Sequence, residues 1–163
     1  GQQLRREGSL DADILFSHTH WDHVNGFPFF APAFEPDNAF RVFAAHVKQR
    51  YAAEPGFITM NLPRLLDLLD DVGIDNPIIC CNYNKIGFRM SGGVDLYDRT
   101  IETRRVRCVA MSVLASGAIP AEEAIRWICE RAQIESIVFG ASSRGNIVQT
   151  KQLIDKYSVG VQA

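Results

Sequence analysis

The sequence predicts an α/β protein. The expected architecture is a mostly parallel sheet of about four βα units, half-barrel-like or an open sandwich, behind a short N-terminal segment of different character. Three observations predict it. Short apolar runs without alternation, at Phe57–Thr59, Ile78–Cys81, Val106–Ala110 and Ile137–Phe139, read as parallel strands covered on both faces. Helical patterns separate them, and such alternation predicts right-handed crossovers. The 163 residues, 47% hydrophobic and 10% aromatic, suit one ordinary domain or two very small ones and exclude a disordered chain.

Taken in order, Gln2–Glu7 is polar and stops at Gly8, as at the end of a helix. Ala12–Phe16 is a compact apolar strand, His18–His23 a polar loop, and Phe27-Pro28-Phe29-Phe30 an aromatic stretch. Phe40–Ala45 reads as another strand. The texture then changes: all four histidines precede residue 47 and seven of the ten phenylalanines precede residue 44. Lys48-Gln49-Arg50 and Glu54-Pro55-Gly56 break the pattern, so a junction is expected near Gln49–Gly56, between a segment of residues 1–48 and a domain of residues 55–163. Beyond it, Leu62, Leu65, Leu66, Leu69 and Val72 form one stripe at helical spacing, with Asn61 as N-cap and Gly73 as stop. Val94–Thr103 is a weaker helix. Pro120 opens another, with Ala121, Ala124, Ile125 and Ile128 on one face, and a last one runs from about Asn146 to Tyr157.

Composition excludes several classes. A net charge of −2 provides no general basic field for nucleic acid or anionic lipid. No apolar run reaches the roughly 18–20 residues of a membrane span, and the N-terminus lacks the layout of a signal peptide. Cys80, Cys81, Cys108 and Cys129 make no C-x-x-C pair and sit in apolar runs or on a helix, so reduced thiols in a cytoplasmic protein are expected.

Ser17-His18-Thr19-His20-Trp21-Asp22-His23 carries the sharpest chemical signal. Three imidazoles and a carboxylate fall within six residues, directly after a strand, and both are good ligands for zinc. Alternate residues of a tight loop point the same way, so His18 and His20 can grip one ion while Asp22 and His23 face a second position. The stretch resembles the H-x-H-x-D-H signature of metallo-β-lactamase fold hydrolases, and residues Ala12–Phe34 are similar to the phosphodiesterase-like and ribonuclease-Z-like branch. That resemblance implies His18, His20, Asp22 and His23 as metal ligands, with Asp22 the candidate catalytic residue. The implied activity is hydrolysis of a phosphoester or ester by a metal-bound hydroxide. The family completes two sites with later histidines and a bridging aspartate, whereas no histidine follows His46 here. One zinc ion is therefore the expectation, with a second absent or loose.

A second resemblance covers roughly residues 55–157. Asn76–Phe88, Val106–Ile119 and Ile134–Ile147 resemble the last strands and loops of an aldo-keto reductase-type (β/α)8 barrel. Ser112, Leu114 and Gly117 match an S-x-L-x-x-G loop, and Gly140, Ala141, Ser142 and Ser143 match a G-A-S-S turn before a helix. The resemblance implies NADP bound through its adenosine phosphate at this turn, with Arg144 as a fixed positive charge. The physics is independent of the family: Gly140 permits close backbone approach, and a serine-capped helix N-terminus favours phosphate. The bland reading of the same residues is a serine N-cap and a solvated arginine. Asn146 and Thr150 depart from the family's usual Gln and Asn, and the first barrel strands, which carry the hydride-transfer residues, are missing. Tyr83 and Lys85 read as a packing tyrosine and a surface lysine.

Three functional classes stay open: a metal-dependent hydrolase, a nucleotide- or phosphate-binding module without hydride transfer, and a non-catalytic chimeric scaffold. A small-molecule or phosphoester substrate is expected. Open sheet edges lead to the further expectation of a homo-oligomer.

Overall fold

Over residues 36–158, which the computed structural model describes, the chain forms α1 (Pro36–Tyr51), β1 (Gly56–Thr59), α2 (Leu62–Asp71), β2 (Ile78–Asn82) and α3 (Gly93–Thr103). β3 (Arg107–Met111), α4 (Ala121–Cys129), β4 (Ile134–Ile137) and α5 (Arg144–Ser158) complete it. This is an α/β architecture with one sheet, order β1-β2-β3-β4, every pair parallel. Two units divide the chain. One runs to Pro55 and takes in Leu68–Ile74; the other holds Gly56–Asp67 and the chain from Asp75 onward. The expected helix end at Gln2–Glu7, the strand Ala12–Phe16, the loop His18–His23 and the stretch Phe27–Phe30 lie outside the described residues.

The strand expected at Phe40–Ala45 is instead the middle of α1. The run is too short to reveal its period unless its flanks are included. Phe40, Ala44 and Val47 are the less exposed positions from Phe40 onward, at helical spacing. Pro36 occupies the first turn, where its missing N–H costs nothing, and Lys48 and Arg50 face the negative end of the dipole.

α2 follows its sequence signals closely. The Asn61 side-chain oxygen accepts from the Arg64 N–H at 3.2 Å, which makes Asn61 the N-cap. Leu62, Leu65, Leu66 and Leu69 are all buried. At the other end Gly73 takes φ +75°, and the N–H groups of Gly73 and Ile74 close on the carbonyls of Asp70 and Leu69.

The sheet is not covered equally on its two faces, contrary to the reading of its strands as buried on both. Ile79, Cys81, Cys108 and Ala110 are completely buried on one face. On the other, Ile78, Cys80, Val109 and Met111 stay partly exposed, and Ile58 is 71% exposed. Strand order explains this. When each successive strand adds to the same side through a right-handed crossover, every crossover helix falls on one face. Ile58, Cys80, Val109 and Ser136 stand side by side across the less covered face.

The last strand also differs from its expected position. β4 pairs over Ile134–Ile137, not Ile137–Phe139. The register shifts between Cys108 and Val109, so that Ile134 faces Cys108 and Ser136 faces Val109. Glu135 lies within this irregularity and its carboxylate meets Arg107 at 3.2 Å. The four cysteines are free thiols. Among the described residues no helix is long and apolar enough to cross a membrane.

Candidate functional site

Parallel strands deliver all their C-terminal loops to one edge, the usual ligand edge of α/β sheets. The loop after β1 is the short Met60–Asn61 link into α2; the longer loops after β2, β3 and β4 differ in how they use their polar groups.

The loop after β2 closes on itself. Asn82 and Asn84 are buried. Asn84 accepts from the Phe88 N–H at 2.8 Å and donates to the Phe88 carbonyl at 2.9 Å, while Asn82 donates to the Arg89 carbonyl at 3.0 Å. Tyr83 is fully buried between Trp127 and Tyr97, with ring centroids 5.7 and 6.2 Å away. Its hydroxyl donates to Asp98, and the Arg131 guanidinium lies 3.3 Å from the centre of the Trp127 ring. Burial first, and the Asp98 carboxylate second, push the Tyr83 phenol above its ordinary value; Arg131 opposes both. Lys85 is exposed and pairs with Glu123 at 2.6 Å. The two buried asparagines were not singled out from sequence. The readable signal was a polar Asn-Tyr-Asn placed directly after the apolar run of β2.

The loop after β3 carries the S-x-L-x-x-G residues. Ser112, Ala115 and Ser116 hold positive φ of 55°, 47° and 57°, and Gly117 follows at 87°. Three non-glycine residues in this region within five positions are uncommon, and such strain concentrates at ligand sites. Leu114 and Ser112 are partly exposed, and Ser116 and Gly117 are exposed.

The loop after β4 carries Gly140–Arg144, and all five residues are exposed. Ser143 is the N-cap of α5, its oxygen accepting from the Asn146 N–H at 3.2 Å. The Asn146 side chain donates to the Ser142 oxygen at 3.1 Å, which holds the turn against the helix. Thr150 is buried. A Cβ added at Gly140 would meet nothing within 4 Å, so space in front of the turn is open. Because β3 pairs β4 and the Val138 N–H reaches the Ala110 carbonyl at 2.8 Å, the two loops leave the sheet from neighbouring strands.

A cleft of about 330 Å³ lies elsewhere, between the end of α4, β4 and the end of α5, lined by Cys129, Arg131, Glu135, Ser136, Ile154 and others. None of the expected metal ligands or phosphate-binding residues lines it. His18, His20, Asp22 and His23 lie outside the described residues; among the described residues no group of three or more metal-ligating side chains converges. Comparison of the chain with protein-family models, with curated proteins and with solved structures gives no match.

Proposed function

We propose that the βα unit is a half-barrel-like module that binds a phosphate-bearing ligand of the nucleotide class, NADP among them, without hydride transfer. The observation that carries this reading is the adjacency of two loops at the ligand edge: the Ser112–Gly117 loop, and the Ser143-capped start of the 15-residue α5. The first N–H groups of α5 have no intrahelical acceptor and sit at the positive end of the dipole. Arg144, exposed in the first turn, adds a planar donor fork suited to a phosphate oxygen pair. The resemblance of Ser112, Leu114, Gly117, Gly140, Ser142 and Ser143 to the aldo-keto reductase loops supports the same ligand class. An exposed site is screened by salt, so affinity should be modest and fall as ionic strength rises. The test is titration with NADPH and with inorganic phosphate. Arg144→Ala should weaken binding by roughly 1–3 kcal/mol. Equal binding in that variant, or no binding at millimolar ligand, removes the reading.

The histidine cluster favours a second reading, metal-assisted hydrolysis of a phosphoester or ester. The donor set fits zinc: His18 and His20 would form the core, with Asp22 and His23 beside them. A bound zinc supplies a hydroxide near neutral pH. Imidazole ligands must be neutral, so zinc should be lost as pH falls below about 6. Zinc content and hydrolysis of a chromogenic phosphodiester, wild type beside His18→Ala/His20→Ala, test this. Equal zinc in both proteins refutes the site; zinc without turnover keeps the site and refutes the enzyme.

A further inference from the structure

Each strand of this sheet adds beside the one before it, from β1 to β4, and each step passes through a helix. A right-handed crossover lays its helix over the seam between the strand it leaves and the strand it feeds. α5 follows β4 in the same way, and the cleft of about 330 Å³ lies beside both. All four β4 residues line it, together with Ile154 and Ser158 of α5 and the end of α4; no residue of β1, β2 or β3 does. Among the described residues β4 pairs with β3 alone. Alternate residues of a strand bond to opposite neighbours, and the Val138 N–H reaches the Ala110 carbonyl, so the Ile137 N–H and C=O face the outer edge.

We propose that residues 159–163 of this chain, Val-Gly-Val-Gln-Ala, dock in this cleft and add to β4 as a fifth parallel strand. Position favours this occupant. Ser158, the last residue of α5, lines the cleft together with Cys129, Arg131 and Ala132, which lead into the start of β4. The chain therefore leaves α5 at the end of the sheet from which a parallel strand must start. Length agrees: five extended residues span ~16 Å, against ~13 Å for the four of β4.

The chemistry agrees as well. The segment carries no charged side chain, and Val159 and Val161, two apart, fall on one face of a strand. The cleft offers the isoleucines 128, 134, 137 and 154. Its two charged liners are already paired, Arg131 with Asp98 at 3.5 Å and Glu135 with Arg107 at 3.2 Å, so it calls for a neutral occupant. A segment tethered at the cleft is present at an effective concentration on the order of millimolar, which favours it over a second copy or a free peptide. This inference does not depend on the phosphate reading.

The test is hydrogen exchange and thiol labelling on the full chain. The Ile137 amide should exchange about tenfold or more slowly in the unaltered protein than in Val159→Asp/Val161→Asp, because an unpaired charge is costly in an apolar cleft. Val161→Pro, which removes a backbone donor without adding charge, should act in the same direction. The free Cys129 thiol lines the cleft, so its alkylation by N-ethylmaleimide should quicken in both variants, while Cys80, outside the cleft, reacts at an unchanged rate. Circular dichroism checks that the variants fold. The unaltered protein is measured at about 1 and about 100 µM, a range that brackets a micromolar association. Slow exchange at Ile137 only at the higher concentration assigns the edge to a second copy and overturns the proposal. An Ile137 amide that exchanges freely in the unaltered protein, or one protected equally in the variants, also overturns it.

Discussion

The loops after β2 and β4 leave the same edge of the same sheet, yet they treat their polar groups in opposite ways. Asn82 and Asn84 turn inward and spend their amides on the backbone of Phe88 and Arg89. Ser142, Ser143 and Arg144 stay exposed, with one serine fixing the helix start and Asn146 bracing the other. The first loop is a structural plug: its polar side chains are consumed because a buried donor or acceptor left unmade costs more than a made bond gains. The second is held in shape while its outward N–H groups and guanidinium face solvent. Polarity in a loop is therefore no guide to binding until the destination of each hydrogen bond is known. The loop after β3 is a third case, in which three non-glycine residues, Ser112, Ala115 and Ser116, hold positive φ beside Gly117.

The comparison breaks most easily at Asn84. Asn84→Ala removes both side-chain bonds to Phe88 in a buried setting and should destabilise the protein by about 2–4 kcal/mol in denaturant unfolding. A loss under about 1 kcal/mol would mean that the loop is not the plug described. Tyr83 sharpens the same point through pH. Its folded pKa lies above the unfolded value because burial and Asp98 disfavour the phenolate. The stability it contributes is fully present below the unfolded value of about 10 and declines as pH rises beyond it. Stability measured against pH should thus fall less steeply above about pH 10 in Tyr83→Phe than in wild type; parallel curves would contradict the assignment.

Smaller effects are expected at the open loops. Ser143→Ala removes the N-cap of α5 and should cost about 1 kcal/mol, with a larger proportional effect on phosphate binding if the turn is the site. No change in thermal midpoint would show that the capping bond is dispensable. Ser116→Gly relieves a positive φ at an exposed position and should stabilise by only about 0.5 kcal/mol, because glycine's greater unfolded freedom offsets most of the gain. Destabilisation there would show that the serine side chain makes a contribution beyond its backbone shape.

Much of this fold is legible in the chain because the signals are local. The leucine stripe of α2, its Asn61 cap and its Gly73 stop are all set within a dozen residues, and each appears as read. The apolar runs of β1, β2 and β3 likewise mark their strands to within about a residue, and α/β alternation predicts the parallel pairing. A serine cap for α5 belongs to the same class, with Ser142 and Ser143 both eligible from sequence and the structure giving the bond to Ser143. Where local signals were ambiguous, the reading failed: Phe40–Ala45 is apolar enough for a strand, and only its flanks reveal the helical period of α1. What the tertiary structure alone decided lies between distant residues. The register of β4 follows β3, where the irregularity at Cys108 and Val109 draws Ile134 into the sheet and leaves Val138 beyond the strand. The inward turn of Asn82 and Asn84, and the burial of Tyr83 beside Asp98 and Trp127, depend on α3 and α4 closing over that end of β2. The uneven coverage of the sheet comes from strand order, since one row of alternating residues is buried only if a helix is laid over it. Periodicity tells which residues share a face; it carries no information about what, if anything, covers that face.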